Sequence, residues 1–182
     1  IAQASVVEDA ARLRERIDFI HEHTQSDALV EEYIEGRELY VGICGNDRLT
    51  TFPAWELDFG RLPEAMAGIA TRKVKWDREY QRKHGIDSHQ AADLPEGVPA
   101  ALARLSRRIY RALQLSGYAR MDFRMRPDGS LFVLEANCNP DICRAEDFAA
   151  AAAAAGVGYE ALLERIVALG ESYAAPWRVA GA

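Results

Sequence analysis

The chain has 182 residues, of which 49% are hydrophobic and 27% are charged. This length allows one domain or two small subdomains, and this composition excludes an intrinsically disordered chain. The formal net charge of −6 argues against a nucleic-acid-binding surface as the main function of the protein.

The first half of the chain predicts one helix followed by strands. Residues 6–24 place apolar side chains at helical spacing, and His21 and His23 are predicted to lie on the surface of that helix. Residues 27–59 predict three strands, with turns at Glu35-Gly36 and at Gly45-Asn46-Asp47. Residues 60–97 are irregular and polar, and they predict loops and a short helix.

The second half predicts a helix, a hairpin and two further helices. Residues 98–117 form an amphipathic pattern with Pro99 near the start and Gly117 just past the end. The arginines of this segment are interpreted as a solvated helix face: Arg104, Arg107, Arg108 and Arg111. Residues 120–137 predict a hairpin, and the tail predicts two helices that are separated at Gly156 and Gly158. Antiparallel strands with helices gathered on one side predict an α+β fold.

The cysteines and the apolar runs indicate the cellular environment. Cys44, Cys138 and Cys143 lack the spacing of a metal site, so reduced thiols in a cytoplasmic protein are expected. No apolar run reaches the roughly 18 to 20 residues of a membrane-spanning helix, and no signal peptide is visible. Because the chain begins without Met, we expect that a preceding N-terminal part is missing.

The hairpin has an unusual polar side. Its loop is predicted at residues 127–130, because a three-residue loop would turn Glu135 toward the apolar face. In that register Asp122 lies directly opposite Glu135, and Arg120 lies directly opposite Asn137. Two opposed carboxylates repel each other, so a compensating positive charge is expected.

Two kinds of positive charge fit this position. Arg120 or Arg124 would neutralise the acids in a structural ion cluster. Alternatively, Asp122, Glu135 and Asn137 would supply the hard oxygen ligands that suit Mg²⁺, with Mn²⁺ as a second candidate. Since Mg²⁺ keeps positions for substrate phosphates, the second interpretation predicts a nucleotide phosphate site.

Several segments resemble the ATP-grasp superfamily, especially its D-alanine–D-alanine ligase-like branch. The segments "ARMDFRM" and "GSLFVLEANCNP" resemble the metal-binding hairpin, with Arg-x-Asp followed by Glu-x-Asn-x-x-Pro. The segment "LVEEYIEGRELYVGI" resembles the adenine hinge and the ribose-binding strand. "ASVVEDAARLRERI" resembles the helix after the glycine loop, and "AGVGYEALLERIVAL" the terminal helix. The resemblance implies an ATP-grasp fold with antiparallel sheets flanked by helices.

The resemblance also implies roles for particular residues. Asp122, Glu135 and Asn137 would hold Mg²⁺ between the ATP phosphates, and Arg120 would stabilise the transferred phosphoryl group. The remaining residues implied to contact ATP are Glu31, Glu32 and Ile34 at the adenine, Glu38 at the ribose and Lys75 at the phosphates. Lys73 is a rival of Lys75, and both are equally compatible with plain surface lysines.

The hinge residues have a simpler interpretation as well. If Glu35-Gly36 is a two-residue turn, Glu31 and Glu38 share one hairpin face, whereas Glu32 lies on the other. Solvated charges on a half-exposed sheet would produce the same pattern.

The implied function is an ATP- and Mg²⁺-dependent carboxylate–amine ligase with an acylphosphate intermediate. Residues 1–50 would form part of the nucleotide-binding subdomain and residues 51–182 the catalytic subdomain. The expected partners are ATP, a small carboxylate, an amine acceptor and a second copy of the chain in a homodimer; nucleic acid and membranes are not expected. The rivals are a nucleotide-binding module without turnover and a structural domain with an arginine-neutralised acidic pair.

One departure from the branch concerns the acceptor. In the branch a Gly follows the Asn-x-x-Pro step, and a later Ser helps to hold the carboxylate of the acceptor. Here Asp141 and the stretch "CRAEDF" occupy that region, so a cationic or plain amine is expected instead of D-alanine. A helix N-cap role for Glu146 or Asp147 is the simpler interpretation of those two acids.

Overall fold

The computed structural model describes residues 2–63 and 66–174. The described residues divide into two compact units. The first comprises the residues up to Glu35 together with Asp58–Asp87, and the second comprises Gly36–Leu57 and the residues from Ser88 onward. The functional division predicted at residue 50 concerns what each part binds, and it stays a prediction.

The first unit is helical. A short 3-10 helix, Gln3–Ser5, precedes α1, Ala10–Thr24, and later come α2, Arg72–Trp76, and α3, Arg78–His84. Helix α1 begins four residues later than predicted, because the Asp9 carboxylate accepts hydrogen bonds from the first-turn N–H groups of Ala11 and Arg12. His21 and His23 are exposed, as predicted. In the described part of the chain, each helix is too short or too polar to cross a bilayer.

The prediction of a strand before the Glu35-Gly36 turn is wrong. Residues 27–35 contain neither helix nor strand, and Leu29 and Val30 are 83% and 53% exposed. An alternating pattern becomes a strand only when a neighbouring strand pairs with it and a core covers its apolar side. The hairpin face that Glu31 and Glu38 were expected to share is therefore not formed.

The second unit is built on an antiparallel sheet. Its strands are β1 Arg37–Cys44, β2 Thr50–Thr51, β3 Trp55–Asp58, β4 Asp87–Gln90, β5 Tyr118–Met125 and β6 Leu131–Asn137. The order across the sheet is β4-β3-β1-β5-β6, and β2 pairs with the end of β1. Strand β4 was not predicted, because its sequence Asp-Ser-His-Gln has no apolar alternation. The segment from residue 60 to 97 therefore holds two short helices and a strand rather than loops and one helix.

Helices cover both faces of this sheet. Helix α4, Val98–Ala112, packs on the face that carries Leu39, Val41, Met121 and Phe123. On the opposite face, α5, Asp147–Ala154, and α6, Tyr159–Glu171, form a second core. Its buried members are Cys44, Phe52, Phe148, Ala149, Ala151, Ala152 and Leu162. The expectation of helices gathered on one side is therefore wrong, because the alanine run gives α5 a flat surface that packs closely.

The helical predictions of the second half are otherwise confirmed, except that α4 ends at Ala112, five residues before Gly117. Pro99 lies in the first turn of α4, and Gly158 is the N-cap residue of α6. The exposed arginines of α4 are Arg104, Arg108 and Arg111. Arg107 is half-buried, and its Nη2 donates to the Thr51 hydroxyl at 3.0 Å. The arginine cluster is thus a helix face that is mostly solvated.

The β5–β6 hairpin combines a correct and an incorrect prediction. Asp122 lies opposite Glu135, and Arg120 lies opposite Asn137, as predicted. Beyond Asp122 the register shifts by one residue, so Leu134 has no partner and Phe123 lies opposite Val133. This β-bulge bends the strand and leaves the site end of the hairpin in the predicted register.

The hairpin loop has three residues rather than four. The Arg126 N–H donates to the Ser130 carbonyl at 3.0 Å, so the loop is residues 127–129, with Gly129 at φ +83. A turn followed by a left-handed glycine is a common three-residue hairpin connection. The bulge compensates for the residue that the shorter loop removes.

Candidate functional site

Charged and polar side chains line the sheet face opposite α4. On β1 they include Glu38 and Tyr40, and on β5 they include Arg120, Asp122 and Arg124. Because β1 and β5 are antiparallel neighbours, Glu38 lies opposite Arg124 and Tyr40 lies opposite Asp122. Alternate residues of a strand share a face, so these five side chains form one polar surface.

Arg120 and Asp122 form a bidentate ion pair at the centre of this surface. The Arg120 Nε donates to Asp122 Oδ1 at 2.7 Å, and Nη2 donates to Oδ2 at 2.8 Å. Burial raises the pKa of Asp122, the two hydrogen bonds from Arg120 oppose that rise, and the charge of Glu135 adds to it. Burial works against the charged Arg120, but the contact with Asp122 raises the pKa of its guanidinium overall. The arginine therefore stays charged and holds the buried carboxylate.

Glu135 and Asn137 complete the predicted oxygen set. The Glu135 side chain is exposed, and within the described residues no hydrogen bond or ion pair engages its carboxylate. The Asn137 Oδ1 accepts the Asn139 N–H at 3.0 Å, which orients the amide.

This oxygen set fits a hard cation. Each Asp122 oxygen accepts one hydrogen bond and keeps a further lone pair. Two carboxylates and an amide are the donors that Mg²⁺ prefers. In residues 2–63 and 66–174 no group of three or more His, Cys, Asp or Glu could hold a metal ion. A site on this hairpin therefore depends on the amide and on groups from a ligand.

A second ion pair lies two residues along β5. The Arg124 Nη2 donates to Glu38 Oε2 at 2.7 Å, and the Tyr40 hydroxyl donates to Glu38 Oε1 at 2.6 Å. Arg124 also donates to the Gly36 carbonyl at 2.9 Å. The sequence suggested Arg124 as a partner of the acidic pair, but the structure places it on Glu38. Glu38 is 5% exposed, and both of its carboxylate oxygens already accept a hydrogen bond from the protein. A ribose hydroxyl would therefore be an additional partner of this carboxylate.

Two contributors to the site, Tyr40 and Ser88, were not predicted from the sequence. The Arg120 Cζ lies 4.3 Å from the centroid of the Tyr40 ring. The Ser88 hydroxyl donates to Asp147 Oδ1 at 2.6 Å, and the charge of Asp147 helps to raise the pKa of Arg120. The position of Tyr40 two residues after Glu38 was a usable signal, whereas Ser88 lies in the strand that the sequence did not predict.

The remaining residues implied by the resemblance lie in the first unit. Glu31 and Glu32 are exposed, and Ile34 is 7% exposed. Lys75 is exposed in the last turn of α2, and the Nζ of its rival Lys73 lies 5.9 Å from the Tyr80 ring centroid. Their roles toward ATP stay predictions.

The acidic loop after β6 is locally ordered. Asp141 Oδ1 accepts the Cys143 N–H at 2.8 Å, and hydrogen bonds from Cys143 lower the pKa of Asp141. Glu146 is the N-cap residue of α5, but its side chain makes no cap hydrogen bond. Asp147 lies in the first turn of α5, where its negative charge interacts favourably with the positive end of the helix dipole. Asp141 is therefore ionised at neutral pH.

Comparisons with known proteins identify relatives of most of the chain. Residues 3–168 match the family model described as D-ala D-ala ligase C-terminus. An uncharacterized protein of Sinorhizobium fredii, y4sG, is 32% identical over 162 residues, which cover 89% of this chain and 46% of that protein. D-alanine–D-alanine ligase A of Mesorhizobium japonicum is 33% identical over 144 residues, which cover 78% of this chain and 38% of that protein.

Solved structures show the same fold. The D-alanine–D-alanine ligase from Bacillus anthracis, in a complex with ATP, has a TM-score of 0.69 at 24% identity, and covers 91% of this chain and 48% of that one. The VanG D-Ala:D-Ser ligase from Enterococcus faecalis has a TM-score of 0.67 at 21% identity, and covers 88% and 43%. The expected α+β fold of ATP-grasp type is confirmed. The chain spans less than half the length of these four relatives.

Proposed function

The chain belongs to the D-ala D-ala ligase C-terminus family, and we propose that it is the C-terminal catalytic portion of an ATP- and Mg²⁺-dependent carboxylate–amine ligase. One observation carries the proposal: within this family match, Asp122 lies opposite Glu135 on a polar sheet face, and Arg120 is held beside them. Acidic oxygens and a fixed guanidinium are the groups that phosphoryl transfer requires.

The proposed reaction has two steps. A carboxylate oxygen of the first substrate attacks the γ-phosphorus of ATP, the bond to the β-phosphate oxygen breaks, and ADP leaves with an acylphosphate formed. The nitrogen of an uncharged amine then attacks the acyl carbon. Inorganic phosphate leaves, the nitrogen loses a proton, and an amide results.

The residues of the polar face have distinct parts in this proposal. Asp122, Glu135 and Asn137 would hold Mg²⁺, with Mn²⁺ as a substitute. The ion, when bound, supplies positive charge that offsets the negative charge of the phosphates. Arg120 would contact the transferred phosphoryl group while Asp122 fixes the plane of its guanidinium. The orientation of Arg120 is thus set before substrate arrives.

The other proposed ATP contacts follow the family resemblance alone. Glu31, Glu32 and Ile34 would contact the adenine, Glu38 the ribose and Lys75 the phosphates. Glu38 is supported as a hydrogen-bond acceptor because Tyr40 and Arg124 already orient both of its oxygens. The cytoplasm and a homodimer remain the expected compartment and assembly.

The proposed acceptor is an amine without a carboxylate. Asp141 replaces the glycine of the ligase branch, and Glu146 and Asp147 lie in the region of the serine that helps to hold an acceptor carboxylate. Hydrogen bonds from Cys143 lower the pKa of Asp141, so a negative charge persists there at neutral pH. Such a charge repels a carboxylate and attracts a cationic group.

The test is release of ADP and phosphate by the full-length protein with ATP and Mg²⁺. Small carboxylates are paired with simple amines, diamines and D-alanine in parallel reactions. Turnover that requires both an acid and an amine, and that Glu135→Gln abolishes, is the expected result. The matched control is Glu164→Gln, an exposed glutamate on α6, which should leave turnover unchanged. Turnover with D-alanine but not with the carboxylate-free amines would overturn the acceptor assignment.

One observation favours a second candidate. Arg120 already engages both oxygens of Asp122, as expected for a structural domain whose acidic pair is neutralised by arginine. Absence of any Mg²⁺-dependent ATP binding in the full-length protein would establish that candidate. Mg²⁺-dependent ATP binding without turnover for any substrate pair would indicate the nucleotide-binding module instead.

A further inference from the structure

Tyr40 lies between the two arginine–carboxylate pairs of the polar face. It follows Glu38 by two residues on β1, and it lies opposite Asp122 on β5. The side chain is buried, with 4% of the residue exposed. Its ring contacts the Arg120 guanidinium, and its hydroxyl donates to Glu38. One side chain therefore joins two groups that belong to different ends of the proposed ATP site.

We propose that Tyr40 is a positioning residue, which orients Arg120 through its ring and Glu38 through its hydroxyl. This inference rests on the proposed function, in which Arg120 contacts the transferred phosphoryl group and Glu38 contacts the ribose. Tyr40 itself touches neither the reacting atoms nor the nucleotide in this proposal.

The ring contact restricts the guanidinium. A planar guanidinium stacks on an aromatic face, and Arg120 lies 4.3 Å from the Tyr40 centroid. Gly42, which lies opposite Arg120 on β1, has no side chain, so the contact from β1 comes from Tyr40. A Cβ at Gly42 would lie 2.8 Å from the Phe52 ring. With Asp122 on its donor edge and Tyr40 on its face, the Arg120 plane is fixed in two directions.

The hydroxyl contact restricts the carboxylate. Tyr40 donates to Oε1 of Glu38, whereas Arg124 donates to Oε2. Two donors on different oxygens oppose rotation of the carboxylate. Burial and the neighbouring charge of Glu38 raise the pKa of Tyr40, so the hydroxyl keeps its proton and remains a donor. Phenylalanine at this position would keep the ring and remove only this donor.

Two substitutions separate the contacts. Tyr40→Phe removes the hydroxyl alone, so KM and Kd for ATP should rise about 2- to 10-fold while kcat stays within about 2-fold. The preference for ATP over 2′-deoxy-ATP and 3′-deoxy-ATP should fall in the same variant. Tyr40→Leu removes ring and hydroxyl together, so kcat should also fall about 10- to 100-fold through misplacement of Arg120.

The matched control is Tyr110→Phe in the core between the sheet and α4. Tyr110 is 1% exposed, and its hydroxyl donates to the Gly45 carbonyl at 2.8 Å on the face that α4 covers. This change removes a buried tyrosine hydrogen bond of the same kind without touching the polar face. It should lower the free energy of unfolding and leave KM, kcat and the deoxynucleotide preference unchanged.

The measurements are nucleotide titrations with Mg²⁺, steady-state kinetics and urea unfolding on the full-length protein. If wild type turns over and both Tyr40 variants behave like Tyr110→Phe, the positioning role is overturned while the proposed function stands. If wild type binds ATP without turnover, the ligase proposal is overturned. In that case, an unchanged preference for ATP over the deoxynucleotides in Tyr40→Phe would separately overturn the positioning role of Tyr40. If wild type binds no ATP, both are overturned.

Discussion

The two arginine–carboxylate pairs of the polar face have the same chemistry but different surroundings. In the Arg124–Glu38 pair the side chains are 4% and 6% exposed, and Tyr40 and the Gly36 carbonyl engage the remaining groups. In the Arg120–Asp122 pair they are 16% and 8% exposed, and an exposed carboxylate, Glu135, lies opposite. The first pair is satisfied by the protein alone, whereas the second leaves a negative charge without a partner in the described residues. The difference separates an ion pair whose charges the protein itself compensates from an ion pair that lies beside an uncompensated carboxylate.

The largest expected effect is on stability and comes from the Arg124–Glu38 pair. Arg124→Met leaves Glu38 as an uncompensated buried charge, so the free energy of unfolding should fall by about 3–5 kcal/mol. Urea unfolding measures the change. Replacing both partners in the Arg124→Met, Glu38→Gln double variant should restore most of the loss.

The control for this prediction is Arg104→Met on the exposed face of α4. It removes an arginine that has solvent contact, and the expected change is within about 0.5 kcal/mol. Equal effects of Arg124→Met and Arg104→Met would contradict the claim that Arg124 compensates the buried charge of Glu38.

The next effect is on ligand binding and comes from the Arg120–Asp122 pair. Asp122→Asn should weaken Mg²⁺-dependent ATP binding by at least roughly 10-fold, because the variant loses an anionic oxygen ligand. The free energy of unfolding should fall, because Arg120 loses the anionic partner of a largely buried bidentate pair, although relief of the repulsion from Glu135 offsets part of the loss. Calorimetric titration with and without Mg²⁺ checks the first part, and exposed Asp47→Asn is the control. An unchanged Mg²⁺ dependence would mean that the acidic pair is structural.

A smaller effect concerns pH. Burial raises the pKa of Asp122, and the charge of Glu135 adds to that rise. A raised carboxyl pKa contributes stability below the unfolded value of 3.8, and this contribution is lost as pH rises through the folded pKa. In Glu135→Gln the rise is smaller, so less stability should be lost between pH 4 and the folded pKa. Side-chain NMR titration of Asp122 reports the change directly, and an unshifted titration would show that the two acids do not interact.

The smallest expected effect is on the pH dependence of stability and comes from Asp128 in the hairpin turn, whose pKa is shifted in the opposite direction from that of Asp122. Hydrogen bonds from the Ser130 hydroxyl and N–H lower the pKa of Asp128. A lowered carboxyl pKa gives stability above the unfolded value of 3.8 that is lost as pH falls through the folded pKa. Ser130→Ala removes the hydroxyl donor, so the acid-side loss of Tm should become shallower. The same slope in variant and wild type would rule out this contribution.

The sequence correctly predicted that Asp122 lies opposite Glu135, and the reason is geometric. Strand side chains alternate with a period of two, so the apolar residues of β5 and β6 restrict which face Asp122 and Glu135 occupy. The loop length was predicted wrongly, because the bulge at Leu134 lets a shorter loop coexist with the same pairing. The alternation of apolar and polar residues along a strand therefore predicts which sheet face a residue occupies more reliably than it predicts the length of the hairpin loop.

The second ion pair could not be predicted for a different reason. Glu38 and Arg124 meet because β1 lies beside β5, and their separation of 86 residues leaves no local pattern. The same holds for Ser88, whose polar strand resembles a loop until β3 pairs with it. Residues 27–35 show the opposite error, since their alternation has no strand partner in the described structure. Long-range pairing, rather than propensity, decided each of these cases.

The most direct test is a crystal structure of the full-length protein with Mn²⁺ and a non-hydrolysable ATP analogue. Anomalous scattering locates the ion independently of the side chains. The expected result is an ion about 2.1 Å from oxygens of Asp122, Glu135 and Asn137, in contact with the phosphates of the nucleotide. An ion bound elsewhere, with Arg120 still closing both oxygens of Asp122, would contradict the account.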